Sequence, residues 1–198
     1  VDDEDGPGTH VAGTTAAADD DLGVIGIAPD VEIIAVKVLN AEGSGSFADV
    51  IAGILYAADA GADVINMSLG ATLQRRGIYD EDGNKVANAN EVSELLNAVA
   101  RAVNTAHSNG SLVVSSAGND GLNSTGDAGT WYVPADSGRS VSVSATGPLG
   151  WWLDPATNLD VPAFYTNYGN SVDFAGPGGN VDFELFPDGP WFYDLVLS

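Results

Sequence analysis

The sequence predicts an α/β fold in which a parallel β-sheet has helices packed on its faces. Short β-branched runs typical of buried strands alternate with longer stretches that carry apolar residues at helical spacing. Strands that alternate with helices form parallel sheets, because each crossover helix returns the chain to the same end of the sheet. A length of 198 residues suits one domain with a well-packed core. We expect a single domain over residues 1–198, with surface insertions near 71–90 and 147–167.

The first predicted elements are a strand, a helix and a second strand. Residues 31–39 (VEIIAVKVL) form an apolar, β-branched run that predicts a buried strand. Ser46 and Asp49 have the spacing of a capping box, with Asp where Glu is commoner. They predict the start of an apolar helix that closes at Gly61. Residues 63–69 (DVINMSL) predict the second strand.

A longer helix and two further strands follow. Apolar residues recur at helical spacing over 92–106, and Asn109 with Gly110 predicts where that helix ends. Residues 111–116 (SLVVSS) and 140–145 (SVSVSA) predict strands. Ligands of such sheets bind beyond the carboxyl ends of the strands. Those ends are rich in Gly and Ser here, so we expect one shared cleft formed by residues 40–46, 68–70 and 117–121.

The composition excludes several classes of partner. The chain has 28 acidic and 6 basic residues, a formal net charge of −22, which repels nucleic acid and anionic membranes. The charge therefore argues against binding to nucleic acid or membranes. We also expect a secreted, extracellular monomer that binds no organic cofactor. An acidic surface for a cationic partner is the alternative explanation of the charge. Because cysteine is absent, disulfides, thiolate metal sites and a cysteine nucleophile are excluded.

Five segments share their order and spacing with one known family. They are GTHVAGT (8–14), GVIGIAP with AVKVL (23–29 and 35–39), VINMSLG (64–70), SAGNDG (116–121), and YG with VDFAGPG (168–169 and 172–178). Together they resemble the subtilisin-like serine peptidases, or subtilases. The resemblance implies a three-layer α/β/α fold with a mainly parallel central sheet, truncated here at both ends. For intact members it implies endopeptidase activity on peptide or protein substrates held in an extended conformation.

The resemblance also implies roles for individual residues. Asn119 matches the side-chain donor of the family's oxyanion hole, although Asn in a Gly-Asn-Asp-Gly sequence is also an ordinary turn residue. Substrate binding is implied for three segments, whose alternative interpretation is plain strand termini: Gly43, Ser44 and Gly45; Ser68, Leu69 and Gly70; Ala117 and Gly118. The last pair would line the pocket for the residue before the cut.

The catalytic triad is where the sequence departs from the family. Pro7 stands at the position of the catalytic histidine, and His10 matches the second, structural histidine of that motif. Proline has no titratable group and cannot accept the proton of a serine nucleophile. The sequence also lacks the family's Gly-Thr-Ser-Met-Ala nucleophile motif, which Ser198 would shortly precede.

The triad aspartate of the family lies at the end of a strand well upstream of the histidine motif, but only six residues precede Pro7 here. Asp2, Asp3, Glu4 and Asp5 belong to the loop before that motif. These four residues predict a solvated acidic loop. We therefore expect the chain to be inactive on its own. A pseudopeptidase that binds peptides is one alternative. A small-molecule-binding α/β domain is another, disfavoured because no Gly-x-Gly-x-x-Gly follows a strand.

One acidic loop occupies the position of a calcium loop in the family. The resemblance implies a side-chain ligand from Asp20 and backbone carbonyl ligands from Ala18, Leu22 and Val24. Calcium prefers such hard oxygen ligands. An ordinary acidic loop is the alternative. Residues 80–84 (DEDGN) form a weaker candidate, because they lack the full twelve-residue EF-hand pattern.

Overall fold

A computed structural model of the chain describes residue 3 and residues 6–125, 129–184 and 191–196. The predictions made for Asp2, Glu4, Asp5 and Ser198 lie outside these residues. In chain order the elements are α1 (Pro7–Ala16), α2 (Phe47–Asp59), β1 (Val64–Met67), β2 (Ala71–Gln74), β3 (Gly77–Tyr79), β4 (Lys85–Asn88), α3 (Ala89–Ser108), β5 (Leu112–Ser116), β6 (Thr130–Val133), β7 (Val141–Thr146), β8 (Phe174–Pro177) and a 3-10 helix (Trp191–Asp194).

The central sheet has four parallel strands in the order β1-β5-β7-β8. Val64 pairs with Leu112 where β1 meets β5, and Val143 pairs with Phe174 where β7 meets β8. The predicted mainly parallel sheet is therefore confirmed. Because the strands are parallel, their carboxyl ends lie along one edge of the sheet.

One face of the sheet and two helices enclose the core. Burial alternates along β1, so that Ile65 and Met67 are buried while Val64 is exposed. α2 and α3 supply the opposing apolar side chains, among them the fully buried Val99 and Val103. This packing explains why both helices form where the apolar spacing predicts them.

Both helices begin at side-chain caps. The Ser46 hydroxyl accepts a hydrogen bond from the backbone N–H of Asp49 at the start of α2, as predicted. α3 has a full capping box, in which Asn88 accepts from the Glu91 N–H and the Glu91 carboxylate accepts from the Asn88 N–H. Gly61 follows α2 in the left-handed region.

The predicted strand at residues 31–39 is wrong, because the structure has no strand there. A strand exists only where its backbone pairs with a neighbour, and none of the ladders in the described part of the chain includes this segment. Several of its apolar side chains are exposed as a result, including Val31, Ile33 and Ile34. A β-branched composition suits a half-buried sheet surface but carries no information about which strand would pair with it.

Residues 71–90, predicted as a polar excursion, contain more regular structure than the sequence indicates. β3 and β4 form an antiparallel hairpin, and β2 pairs antiparallel with β6, placing Thr72 opposite Tyr132. Residues 147–167 are mainly turns. The buried Asp194 carboxylate holds this segment by accepting hydrogen bonds from the backbone N–H groups of Gly150 and Trp151, at 2.8 Å each. No described helix has the length and apolarity needed to cross a membrane.

Candidate active site

The loop after β5 lies at the carboxyl edge of the sheet. The backbone N–H of Ala117 donates to the Val143 carbonyl at 2.8 Å, which continues the β5–β7 pairing one residue past the strand. Gly118 is buried with a φ of 104°, a conformation that favours glycine, and Asn119 beyond it is exposed. The backbone thus turns out of the sheet at Gly118 and presents Asn119 to solvent.

Asn167 holds this loop from a distant part of the chain. Its side-chain N–H donates to the Ala117 carbonyl at 2.8 Å, and its side-chain oxygen accepts from the N–H groups of Asp120 and Leu122 at 3.0 and 2.9 Å. Its backbone N–H donates to the Gly118 carbonyl at 2.9 Å. Asn167 is 5% exposed, so these bonds are shielded from water. The residues on both sides of Asn119 are therefore fixed.

A tyrosine ring lies between two of the predicted substrate-binding glycines. A Cβ atom placed on Gly70 would meet the Tyr132 ring at 2.5 Å, and one placed on Gly118 would meet it at 2.6 Å. The Tyr132 hydroxyl bonds the Ser116 side chain. The pKa of the Tyr132 phenol is raised, mainly by burial. The hydrogen bond with Ser116 lowers this pKa, and the negative charge of Asp120 raises it. The phenol is thus neutral at physiological pH.

The segment after β1 is open to solvent next to this ring. Ser68 and Gly70 are exposed, and Leu69 is half-buried. The Ser68 hydroxyl accepts from the Asn66 side-chain amide at 3.1 Å. An exposed backbone at the end of a strand offers unpaired N–H and C=O groups to an extended peptide.

Residues 43–45 form a turn in the structure. The Gly43 N–H donates to the Asn40 carbonyl, the Asn40 side-chain oxygen accepts from the Ser44 N–H, and Gly45 packs on the Val38 carbonyl. This turn lies beside a cavity of about 850 Å³ bounded by α2 and residues 36–46. The resemblance implied that residues 43–45 bind substrate, with a plain strand terminus as the alternative, and no described ladder includes these residues.

Pro7 is the first residue of α1, a position that suits proline because the N–H it lacks has no partner within the helix. Gly6 is the N-cap residue of this helix and has no side chain to cap it. The Asp3 carboxylate caps the helix instead. The Asp3 carboxylate accepts from the N–H groups of Gly6 and Thr9 at 3.2 and 2.5 Å. These bonds, above all the one with Thr9, lower the pKa of Asp3. At Pro7 the structure shows the geometry of a helix start and no proton acceptor.

The proposed calcium loop is exposed and folds back on the end of α1. The Asp20 carboxylate accepts from the Leu22 N–H at 3.2 Å, and the Gly26 N–H donates to the Ala17 carbonyl at 2.9 Å. In the described part of the chain, no three acidic or histidine side chains are arranged so that they could hold a metal ion together. The donor set therefore has one carboxylate, from Asp20, together with the predicted carbonyls of Ala18, Leu22 and Val24.

The order of these segments agrees with a family match along nearly the whole chain. Residues 1–195 match the model of the subtilase family. The chain belongs to the subtilase family. This subtilase is 35% identical over 185 residues to subtilisin DY of Bacillus licheniformis, a match that covers 93% of the chain and 55% of that protein. It is 36% identical over 184 residues to subtilisin Savinase of Lederbergia lenta, covering 90% of the chain and 53% of that protein.

Solved structures give the same result. The nisin leader peptidase NisP of Lactococcus lactis superposes with a TM-score of 0.68 at 25% identity, over 91% of this subtilase chain and 49% of that one. A protease from Pseudoalteromonas arctica gives a TM-score of 0.63 at 34% identity, over 89% and 44%. The chain thus spans about half the length of the relatives it matches.

The structure brings some of the predicted site residues together. Tyr132 touches both Gly70 and Gly118, so the strand ends after β1 and β5 lie on either side of one ring. The roles predicted for these residues and for Asn119 stay predictions. Sequence reasoning missed Asn167 and Tyr132. Tyr132 lies outside the recognised segments, whereas Asn167 directly precedes the Tyr-Gly pair of one segment and could have been noticed there.

Proposed function

We propose that the protein carrying this chain is a serine endopeptidase in which this chain supplies oxyanion stabilisation and peptide binding. The observation that carries the proposal is the loop after β5: a buried Gly118 in the left-handed region, an exposed Asn119, and the Asn167 clamp that fixes both sides. An amide N–H held in such a rigid loop can stabilise a developing oxyanion without reorganising. Removing the equivalent donor costs about 2.7–4 kcal/mol in a subtilisin, so the magnitude comes from the family itself.

We propose further that residues 1–198 alone do not hydrolyse peptides. Pro7 offers no base, and the chain contains no nucleophile motif. A pseudopeptidase that binds extended peptides without cutting them is the second candidate function. It is favoured by Pro7, because proline is well suited to the first position of α1 and causes no disruption of the helix there.

The test begins with a fluorogenic peptide assay on the 198-residue chain, for which we expect no hydrolysis. The same assay is then run on the protein extended by its own flanking sequence, with Pro7 and as Pro7→His. An upstream strand that ends in Asp and a downstream Gly-Thr-Ser-Met-Ala support the peptidase, and their absence supports the pseudopeptidase. With both present, we expect hydrolysis by the Pro7→His protein.

Two further variants of the extended Pro7→His protein sharpen that assay. Asn119→Ala is expected to lower kcat about 100- to 1000-fold with little change in KM, since the donor acts only in the transition state. Asn170→Ala, in an exposed loop residue, is the matched control and should leave kcat unchanged. Hydrolysis by the extended protein that retains Pro7, as fast as by Pro7→His, would contradict the loss of the base.

We also propose a weak structural calcium site in the loop around Asp20. Support comes from the hard oxygen donors of residues 18–24 and the folding of this loop onto α1. Millimolar calcium is expected to raise the Tm of the chain, and chelation to reverse it. Asp20→Asn should abolish the shift, while Asp82→Asn should not. An unchanged Tm at millimolar calcium rejects the site.

The remaining expectations concern the setting of the protein. We propose that it is a secreted monomer that acts on extended peptides and binds neither nucleic acid nor membranes. The support is the net charge of −22, which favours solubility and repels polyanions. Fractionation of the producing culture tests secretion, and a sedimentation measurement tests the monomer. Protein found only inside cells, or a stable dimer, would contradict these two points respectively.

A further inference from the structure

The ring of Tyr132 occupies the space between the ends of β1 and β5. Atoms along one edge of the ring, Cε1 and Cζ, face Gly70, and Cε2 and Cδ2 on the opposite edge face Gly118. A methyl group added to either glycine would come closer to the ring than real Cβ atoms do. The ring therefore contacts the backbone on both sides. It closes the bottom of the gap between the ends of β1 and β5.

The structure holds this ring firmly. The Tyr132 hydroxyl bonds the Ser116 side chain, and the Tyr132 N–H donates to the Asp136 carboxylate at 2.7 Å. The Asp136 N–H in turn donates a hydrogen bond to the Tyr132 carbonyl at 2.7 Å. The ring thus fills the space between Gly70 and Gly118. A large side chain cannot enter without displacing the ring.

Tyr132 is not part of the hydrophobic core. Neighbouring residues of a strand point to opposite faces, and Trp131 packs against the core cluster and lies 4.5 Å from the Arg75 guanidinium. Tyr132 points the other way, to the strand ends at which a ligand of a parallel sheet binds. Its ring therefore faces the cleft, and packing in the core gives no reason for its size.

We propose that Tyr132 is a specificity-determining residue that limits the peptide side chain above Gly118 to glycine, alanine or serine. The inference rests on the proposed peptide-binding function of the cleft. A peptide that pairs with the exposed backbone of residues 68–70 alternates its side chains toward and away from the sheet. The side chain that enters between Gly70 and Gly118 meets the ring. Alanine fits above it, whereas phenylalanine and leucine require the ring to move.

The test measures binding of labelled extended peptides to the 198-residue chain by fluorescence anisotropy. The peptides are identical except for one residue, scanned along the peptide as alanine, leucine or phenylalanine. At one position we expect the native chain to bind the alanine peptide about tenfold more tightly than the phenylalanine peptide, the usual cost of overpacking a filled site. Tyr132→Ala should bind the phenylalanine peptide at least as tightly as the alanine peptide.

Two variants serve as controls. Tyr132→Phe keeps the ring and should retain the preference for alanine. Trp131→Phe changes the neighbouring side chain on the other face of the strand and should also retain this preference. A native chain that binds peptides with equal affinity for alanine and phenylalanine at every position overturns the inference. So does a folded Tyr132→Ala variant that retains the native preference. Absence of peptide binding by every variant contradicts the proposed function instead.

A measurement without peptides tests the position of the ring separately. Removing it in Tyr132→Ala leaves a cavity with the shape of phenol between two glycines. Millimolar phenol is expected to raise the Tm of Tyr132→Ala and to leave the Tm of the native chain and of Trp131→Phe unchanged. If phenol gives no such shift in a folded Tyr132→Ala chain, the ring does not fill the space between the two glycines and the inference fails.

Discussion

Asn167 determines the shape of a loop 50 residues earlier in the chain. One buried amide side chain satisfies the Ala117 carbonyl and the N–H groups of Asp120 and Leu122. Buried backbone groups need partners, and a loop that leaves the sheet at Gly118 cannot obtain them from a ladder. The amide suits this task because it offers a donor and an acceptor in one plane.

We therefore predict a large loss of stability for Asn167→Ala. The substitution leaves one carbonyl and two N–H groups without partners in a shielded site, at a cost of about 2–4 kcal/mol. Urea unfolding of the chain measures the free energy of unfolding. Asn170→Ala, at an exposed position three residues later, is the control and should change it by less than about 0.5 kcal/mol. Equal effects of the two substitutions would contradict the clamp.

At the scale of elements, α1 depends on a residue outside the helix. Gly6 at the N-cap is in the left-handed region and gives no side-chain cap, and the Asp3 carboxylate accepts from Thr9 in its place. A carboxylate near a helix N-terminus is also favoured by the helix dipole. Sequence reasoning missed this helix, since its residues include two glycines and three threonines, which have low helix propensity.

We predict that the start of α1 loosens in acid. The pKa of Asp3 is lowered from 3.8 by the hydrogen bonds from Thr9 and Gly6. A group with a lowered pKa in the folded state stabilises that state above its unfolded pKa, and this contribution is lost as pH falls through the lowered value. The Thr9 amide signal in NMR spectra should titrate with a midpoint below 3.8.

Two variants check the assignment of that titration. Asp3→Asn should remove the transition at Thr9 and increase hydrogen exchange in the first turn of α1 at neutral pH. Asp19→Asn, in the exposed loop after the helix, should leave the transition in place. A midpoint at or above 3.8 would show that the hydrogen bonds do not favour the carboxylate.

The whole molecule carries far more negative than positive charge. The chain has 28 acidic and 6 basic residues. Folding brings the negative charges closer together than they are in the unfolded chain, so their repulsion destabilises the folded state. Salt shortens the distance over which exposed charges act, from about 30 Å at 0.01 M to about 3 Å at 1 M. The stability of the fold therefore depends on ionic strength.

We predict that the Tm rises between about 0.01 and 1 M NaCl in the presence of a chelator. Neutralising Asp19, Asp20 and Asp21 together as Asn should raise the low-salt Tm by about 3 °C, equivalent to about 1 kcal/mol at this size, and should weaken the salt dependence. Replacing the uncharged, exposed Asn158 by Ala is the control. A Tm that falls with NaCl would contradict a dominant role of repulsion.

The amino-acid sequence was enough to predict the elements whose signals are local, and to predict the family. Apolar spacing and caps predicted α2 and α3, while β-branched runs predicted β1, β5 and β7, because each depends on neighbours a few residues away. The order and spacing of the five family-like segments predicted the subtilase family, which the match over residues 1–195 confirms. The loop that carries Asn119 was predicted on the same basis.

Which segments pair with one another is visible only in the three-dimensional structure. Residues 31–39 have the composition of a strand but pair with no described strand, and β2 and β6 become strands by pairing across about 60 residues of chain. The contacts of Tyr132 with Gly70 and Gly118, and those of Asn167 with Ala117, likewise join distant segments. Such contacts depend on how the sheet places the segments in space, and local sequence preferences do not encode that placement.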